Sequence, residues 1–284
     1  MYRITLLLLI TGGALALAQP APVTVKENVP YGTVNGTQLL LDVYEPAAHG
    51  AETHPAVVLI HGGGWTSFDK STMRGMGEFL ARFGFVAFSV DYRLFKDHEN
   101  LWPAQLDDVQ HAVRWIRANA STYGVNSDRV GAFGHSAGAQ LAALLGMEDT
   151  RDNSDSALAA YSSKVQAVVD VSGPTDFTQD DPNDEFLSNF LGGSFAKDPN
   201  AWRDASPALH VVKDDAPFLI FHGTKDDGIP MSQPQELYDK LKAVGVPVSF
   251  LKVNDGHTFR TPEARRELAV ESQAFFNRYL VVGD

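Results

Sequence analysis

Two patterns of apolar residues alternate along this chain. Short unbroken runs, such as Ala56-Val57-Val58-Leu59-Ile60 and Phe85-Val86-Ala87-Phe88-Ser89-Val90, suit strands buried on both faces of a sheet. Between them lie stretches with helical spacing. Residues 73–83 read as one helix, and Leu106, Val109, Val113 and Ile116 put an apolar face on another over residues 103–120, with Pro103 in its first turn. Val130-Gly131-Ala132-Phe133 predicts a strand and residues 137–145 a helix of small side chains. Residues 165–171 and 217–221 predict strands, and residues 235–244 a helix stopped by Gly245. A last strand over 248–251, entered at Pro247, precedes a last helix over 262–280. Near the start, Val23-Thr24-Val25 and Leu39-Leu40-Leu41-Asp42-Val43 predict antiparallel edge strands, with a turn at Asn35-Gly36.

Eight strands joined mostly by helical connections imply an α/β fold, a mostly parallel sheet with helices on both faces. Two stretches interrupt the rhythm, the polar residues 148–161 and the segment 175–207 after the sixth strand. The second holds Phe186-Leu187-Ser188-Asn189-Phe190-Leu191, expected as a short helix. A small insertion at such a place is expected to form a lid or a wall of a binding site.

The first residues follow a different rule. One basic side chain, Arg3, precedes a largely apolar run over residues 4–10, and Ala16-Leu17-Ala18 before Gln19 is a small-x-small cleavage pattern. Residues 1–18 are therefore expected to be a signal peptide, and residues 19–284 a single domain. The apolar run is too short to span a bilayer comfortably, so the expected location is secreted or periplasmic, without a stable membrane anchor.

Composition narrows the chemistry. Against 35 acidic side chains the 284 residues carry 23 basic ones, a net charge of -12 that argues against a nucleic-acid partner. With no cysteine there is no disulfide, thiolate metal site or thiol nucleophile. Asp180, Asp181, Asp184 and Glu185 lack the spacing of a calcium loop and read as a solvated acidic segment, so no metal is expected.

Gly134-His135-Ser136-Ala137-Gly138 matches G-x-S-x-G and lies between a predicted strand and a predicted helix, the context this motif requires. A serine there sits on a sharp turn, and glycines two positions either side leave room for close backbone approach. The turn also aims free N–H groups of the following helix at a developing oxyanion. His61-Gly62-Gly63-Gly64-Trp65 follows the strand over residues 56–60, and its glycines can present further N–H groups to a carbonyl oxygen. Both elements point to acyl transfer.

Serine needs a base, and the base needs an orienting carboxylate. Of nine histidines, His257 lies between the last strand and the last helix, at the sheet end where Ser136 is expected. His222 is expected to pack in the loop that aims the acid, and His61 and His135 sit inside the glycine and serine motifs. His49, His54, His98, His111 and His210 are expected on loops or a helix, exposed to solvent. For the acid, Asp226 stands four residues beyond the strand-ending His222, with Asp227 as the alternative. The order serine, acid, histidine is that of α/β-hydrolases.

Further motifs occur in the same order: Asp91-Tyr92-Arg93-Leu94, Pro103-Ala104-Gln105-Leu106-Asp107-Asp108, His222-Gly223-Thr224-x-Asp226 and Gly256-His257. Together with the serine and glycine motifs, the chain resembles secreted α/β-hydrolase carboxylesterases of the hormone-sensitive-lipase-like and bacterial feruloyl or acetylxylan esterase-like groups. The resemblance implies an α/β-hydrolase fold, a triad of Ser136, Asp226 and His257, and an oxyanion hole of the Gly63, Gly64 and Ala137 N–H groups. It also implies structural roles for Asp91, Tyr92, Asp107 and Asp108. Gly228-Ile229-Pro230 departs conservatively from a pattern that more often has Val before the proline.

The function expected is hydrolysis of carboxylic esters through an acyl-enzyme, with no cofactor. A serine peptidase, an arylformamidase or an inactive binding protein of the same fold are the alternatives. Short-chain or carbohydrate-linked acetyl or feruloyl esters are the expected substrates, with Trp65, Phe259 and Phe190 as pocket residues. A monomer or homodimer is expected.

Overall fold

The computed structural model of the chain describes residues 22–47 and 53–281; the expected leader and His49 lie outside them. Eight strands build one sheet: β1 (Val23–Val34), β2 (Thr37–Pro46), β3 (His54–Ile60), β4 (Val86–Val90), β5 (Val125–His135), β6 (Ala167–Val171), β7 (Phe218–Gly223) and β8 (Val248–Val253). Their order is β1-β2-β4-β3-β5-β6-β7-β8. β2 runs antiparallel to both neighbours, and every pair from β4 to β8 is parallel. The hairpin between β1 and β2 turns at Asn35 and Gly36, with φ of 50° and 81°, the paired positive values that a two-residue turn matched to strand twist requires.

Helices α1 (Arg74–Arg82), α2 (Ala104–Ala118), α3 (Ala137–Met147), α6 (Ser232–Val244) and α7 (Pro262–Leu280) cover the sheet, while α4 (Glu185–Phe190) and α5 (Pro199–Asp204) belong to the insertion after β6. Ala56, Val58 and Ile60 of β3 join one core with Leu106 of α2, Leu141 of α3 and Leu237 of α6. Val57 and Leu59 join another, with Leu80 of α1 and Phe276 of α7. Successive residues of one strand thus enter opposite cores, which is why the run is apolar throughout. The parallel strands end on one side, and there the loops after β3, β5, β7 and β8 meet.

Where the elements differ from expectation, local chemistry accounts for it. β1 reaches Val34 because irregularities between Lys26 and Val29 and between Pro30 and Gly32 interrupt its alternation without ending its pairing. The turn Lys70–Met73, capped by Asp69, starts the region of α1. Pro103 precedes α2 as its cap residue rather than standing in its first turn. α5 was not expected; Asp198 accepts the Ala201 N–H and Pro199 opens the helix, a start signal visible in the sequence.

Candidate active site

Ser136 stands between β5 and α3 with φ 56° and ψ −122°, a backbone conformation strained for any residue with a Cβ. Its N–H donates to the Val171 carbonyl of β6 at 2.8 Å, which pins the turn against the next strand. The flanking glycines are sterically required. A Cβ on Gly134 would lie 2.1 Å from the Gly138 carbonyl oxygen, and one on Gly138 would lie 2.2 Å from the Ile60 carbonyl oxygen. The start of α3 is thereby pressed onto the end of β3.

The loop between β8 and α7 brings His257 to this turn. Its Nε2 lies 2.9 Å from Ser136 Oγ, and its Nδ1 lies 2.8 Å from Asp226 Oδ2. Asp226 reaches it from the turn after β7, with Oδ1 accepting the N–H groups of Gly228 and Ile229, each at 2.9 Å. Burial pushes the Asp226 carboxyl up, but the Ile229 and Gly228 N–H groups and the His257 ring together hold it below the ordinary range. An ionised Asp226 accepts a hydrogen bond from Nδ1–H, which keeps the proton on Nδ1 and leaves Nε2 to accept the serine hydroxyl. Asp227 is exposed and touches none of these groups. Asp255, two residues before His257, accepts the Gly256 and Thr261 N–H groups and the Thr261 hydroxyl, and so shapes the loop.

The other histidines sort by their partners. His222 is buried, donates from Nε2 to the Ile229 carbonyl at 3.0 Å and lies 3.6 Å from Asp226 Oδ2. His135 donates from Nε2 to the His257 carbonyl at 3.0 Å, and burial lowers its pKa. His61 stacks on Tyr92 with ring centroids 4.3 Å apart. His98 is exposed as expected. His54 instead opens β3 and donates from Nδ1 to the Gly84 carbonyl at 2.8 Å, and His111 and His210 are half-buried with polar partners.

Beside Ser136, Gly63 and Gly64 adopt φ of 108° and 58°. The Gly63 carbonyl accepts the Thr66 and Ser67 N–H groups at 3.1 Å each, closing a turn, and the Tyr92 hydroxyl donates to the His61 carbonyl at 3.0 Å beneath it. Among the described residues, the N–H groups of Gly63, Gly64 and Ala137 have no protein acceptor. Asp91 accepts the Lys70 N–H at 2.8 Å, and buried Asp108 holds the Arg93 guanidinium at 2.8 Å; both brace the loop after β4. In the acidic segment, Asp181 and Asp184 accept nearby N–H groups, and no cluster suited to a metal ion occurs among the described residues.

A cavity of about 710 Å³ opens at Ser136 on the α1 and α7 side of the sheet. Phe259 lines it, together with Phe68, Met73, Met76, Phe79 and Leu268. Trp65 and Phe190, expected in the pocket, do not line it. Trp65 Nε1 donates to Gln140 of α3 at 3.2 Å, and its ring stacks on Phe190 at 4.7 Å, with Phe177 against its edge at 5.7 Å. Both side chains are buried on the α3 side, where they fasten the insertion to the sheet. Met73, at the end of the turn before α1, and Met76 and Phe79 of α1 have a visible helical spacing, but an apolar helical stripe looks the same against a core or a cavity.

The family model named BD-FAE matches residues 41–241. Esterase LipC of Mycobacterium tuberculosis is 31% identical over 231 residues, 78% of this chain and 57% of its own length. The chain thus spans little more than half of that relative. A truncated carbohydrate esterase from gut microbiota superposes with a TM-score of 0.77 at 25% identity, covering 93% of this chain and 98% of that one. A thermophilic esterase of the Planctomycetes species Thermogutta terrifontis, with butyrate bound, does so with a TM-score of 0.78 at 25% identity, covering 91% and 94%.

Proposed function

The chain belongs to the BD-FAE family, and on that premise we propose that it is a serine hydrolase of carboxylic esters. The observation that carries this reading is the chain of contacts from Ser136 Oγ through His257 to Asp226, at 2.9 Å and 2.8 Å. His257 takes the hydroxyl proton as Ser136 attacks the ester carbonyl, and Asp226 stabilises the imidazolium. The carbonyl oxygen becomes an oxyanion held by the N–H groups of Gly63, Gly64 and Ala137; loss of one such donor costs about 3 kcal/mol of transition-state stabilisation. His257 then protonates the leaving alkoxide. Water, deprotonated by the same ring, releases the acid and restores the serine.

Short-chain and carbohydrate-linked acetyl or feruloyl esters are the proposed substrates. The apolar walls around Phe259 accept an aliphatic or aryl group, and the similarity to an esterase holding butyrate and to a carbohydrate esterase supports the same range. Hydrolysis of acetylxylan, methyl ferulate and p-nitrophenyl esters of increasing chain length tests the proposal. Cleavage of at least one of these by the parent protein, lost in Ser136→Ala, is the expected result; no ester cleavage, or cleavage independent of Ser136, overturns it.

A further inference from the structure

The cavity beside Ser136 is apolar but not without charge. Arg265 of α7 lines it, and no Asp or Glu does. The Arg265 Nε donates to the Phe259 carbonyl at 2.7 Å, which fixes the stem of the side chain at the cavity wall. Phe259 is itself held in a left-handed conformation, with φ 45°, two residues beyond His257. Among the described residues, no carboxylate pairs with the guanidinium, although acidic side chains outnumber basic ones by 35 to 23.

The position is electrostatically awkward. Arg265 lies in the first turn of α7, close to the positive end of the helix dipole, where an acidic residue is favoured and a cation is not. Glu263 in the same turn follows that rule and Arg265 breaks it. Arg265 is itself exposed, so the cavity offers an anion a cation at its mouth, held by the Phe259 carbonyl, with no acidic lining to repel it. The free Nη groups of a guanidinium match a carboxylate in a two-pronged geometry.

We propose that Arg265 forms an anion subsite of this cavity, selecting esters that carry a carboxylate separated from the scissile bond by an apolar spacer. The proposal rests on the ester-hydrolase reading of Ser136. The carboxylate can belong to the acid or to the alcohol portion of the ester, and matched substrates separate the two.

Mono-p-nitrophenyl adipate against p-nitrophenyl hexanoate probes the acid side; 4-carboxyphenyl butyrate against 4-methylphenyl butyrate probes the alcohol side. In Arg265→Gln the ratio of kcat/KM for the anionic to the neutral ester is expected to fall about tenfold or more in one pair, through KM, with partial recovery in Arg265→Lys. A purely structural role, holding the His257 loop through the Phe259 carbonyl, slows both members of each pair alike. An unchanged ratio in both pairs therefore overturns the proposal. Calorimetric binding of monoethyl adipate and of 4-carboxyphenyl butyrate to Ser136→Ala protein gives a readout that needs no hydrolysis and covers both sides of the ester. Binding of either probe weakened by adding Arg265→Gln supports the subsite even if no ester is cleaved; binding of both indifferent to that change contradicts it.

Discussion

The α-carbon of Gly138 lies so close to the end of β3 that a methyl group on it would stand 2.2 Å from the Ile60 carbonyl oxygen. This contact seats the Ser136 turn on the strand that carries the glycine loop, and the colliding atom is backbone that cannot rotate away. Gly138→Ala is expected to cost about 3 kcal/mol or more in stability. Gly64→Ala meets no atom within 4 Å, and its φ of 58° makes the cost conformational, about 1–2 kcal/mol. Urea unfolding of both variants checks the order; equal losses would mean that the two positions are not constrained in these different ways.

Asp226 and Asp227 are adjacent in sequence and opposite in placement. Asp226→Asn removes the carboxylate that orients the His257 ring, so kcat is expected to fall by about a thousandfold to ten-thousandfold. Asp227→Asn changes an exposed side chain and should leave kcat within about twofold of the parent. Comparable losses in the two variants would show that the acid has been assigned to the wrong position.

Asp170, at the end of β6, is fully buried and its carboxyl is pushed up to about 6 by burial, against a single hydrogen bond from the Gly173 N–H at 3.0 Å. Its folded pKa exceeds its unfolded value, so the folded state binds the proton more tightly. The stability penalty is absent below an unfolded pKa of about 3.9, grows as pH rises towards about 6 and is complete above it. Asp170→Asn keeps the acceptor for Gly173 and removes the charge. It is expected to raise Tm at pH 8 and to have little effect at pH 4. A gain that does not depend on pH would contradict the account.

His210 also has a raised folded pKa, but for a different reason: its protonated form gains a partner, whereas the ionised form of Asp170 loses water. Its Nδ1 lies 2.6 Å from Glu148, and the hydrogen bond to that carboxylate, the largest influence, raises the imidazole pKa. The contribution is fully present below the unfolded value of about 6.5 and is lost as pH rises through the raised folded value. His210→Gln should therefore lower Tm more at pH 5.5 than at pH 9. Thermal melts at the two pH values distinguish this from a loss of packing, which would be the same at both.

The sequence resolved the parts of this site that depend on short-range patterns. Ser136 with Gly134 and Gly138 is a local steric motif, and the strand before it and the helix after it were visible as an apolar run and a run of small residues. The offset of Asp226 from β7 is a local signal, and its carboxylate lies 2.8 Å from His257 Nδ1. The walls of the cavity were harder to read. Trp65 follows the glycine loop directly, yet its ring turns to Gln140 and Phe190 on the α3 side, because a partner 75 residues away in the chain decides where it packs. Met73 and Met76 line the cavity but carried only the signature of an apolar helix face. Arg265 had no pattern at all, since its meaning comes from the neighbours it lacks.

The central claim is that Ser136 is the nucleophile, and covalent labelling tests it most directly. Treatment with a fluorophosphonate should add one adduct per chain, found by peptide mass spectrometry on Ser136. Ser136→Ala should take up none and hydrolyse p-nitrophenyl acetate at least about a thousandfold more slowly than the parent. An adduct on another residue, or a Ser136→Ala protein that retains activity within about tenfold of the parent, would contradict the account.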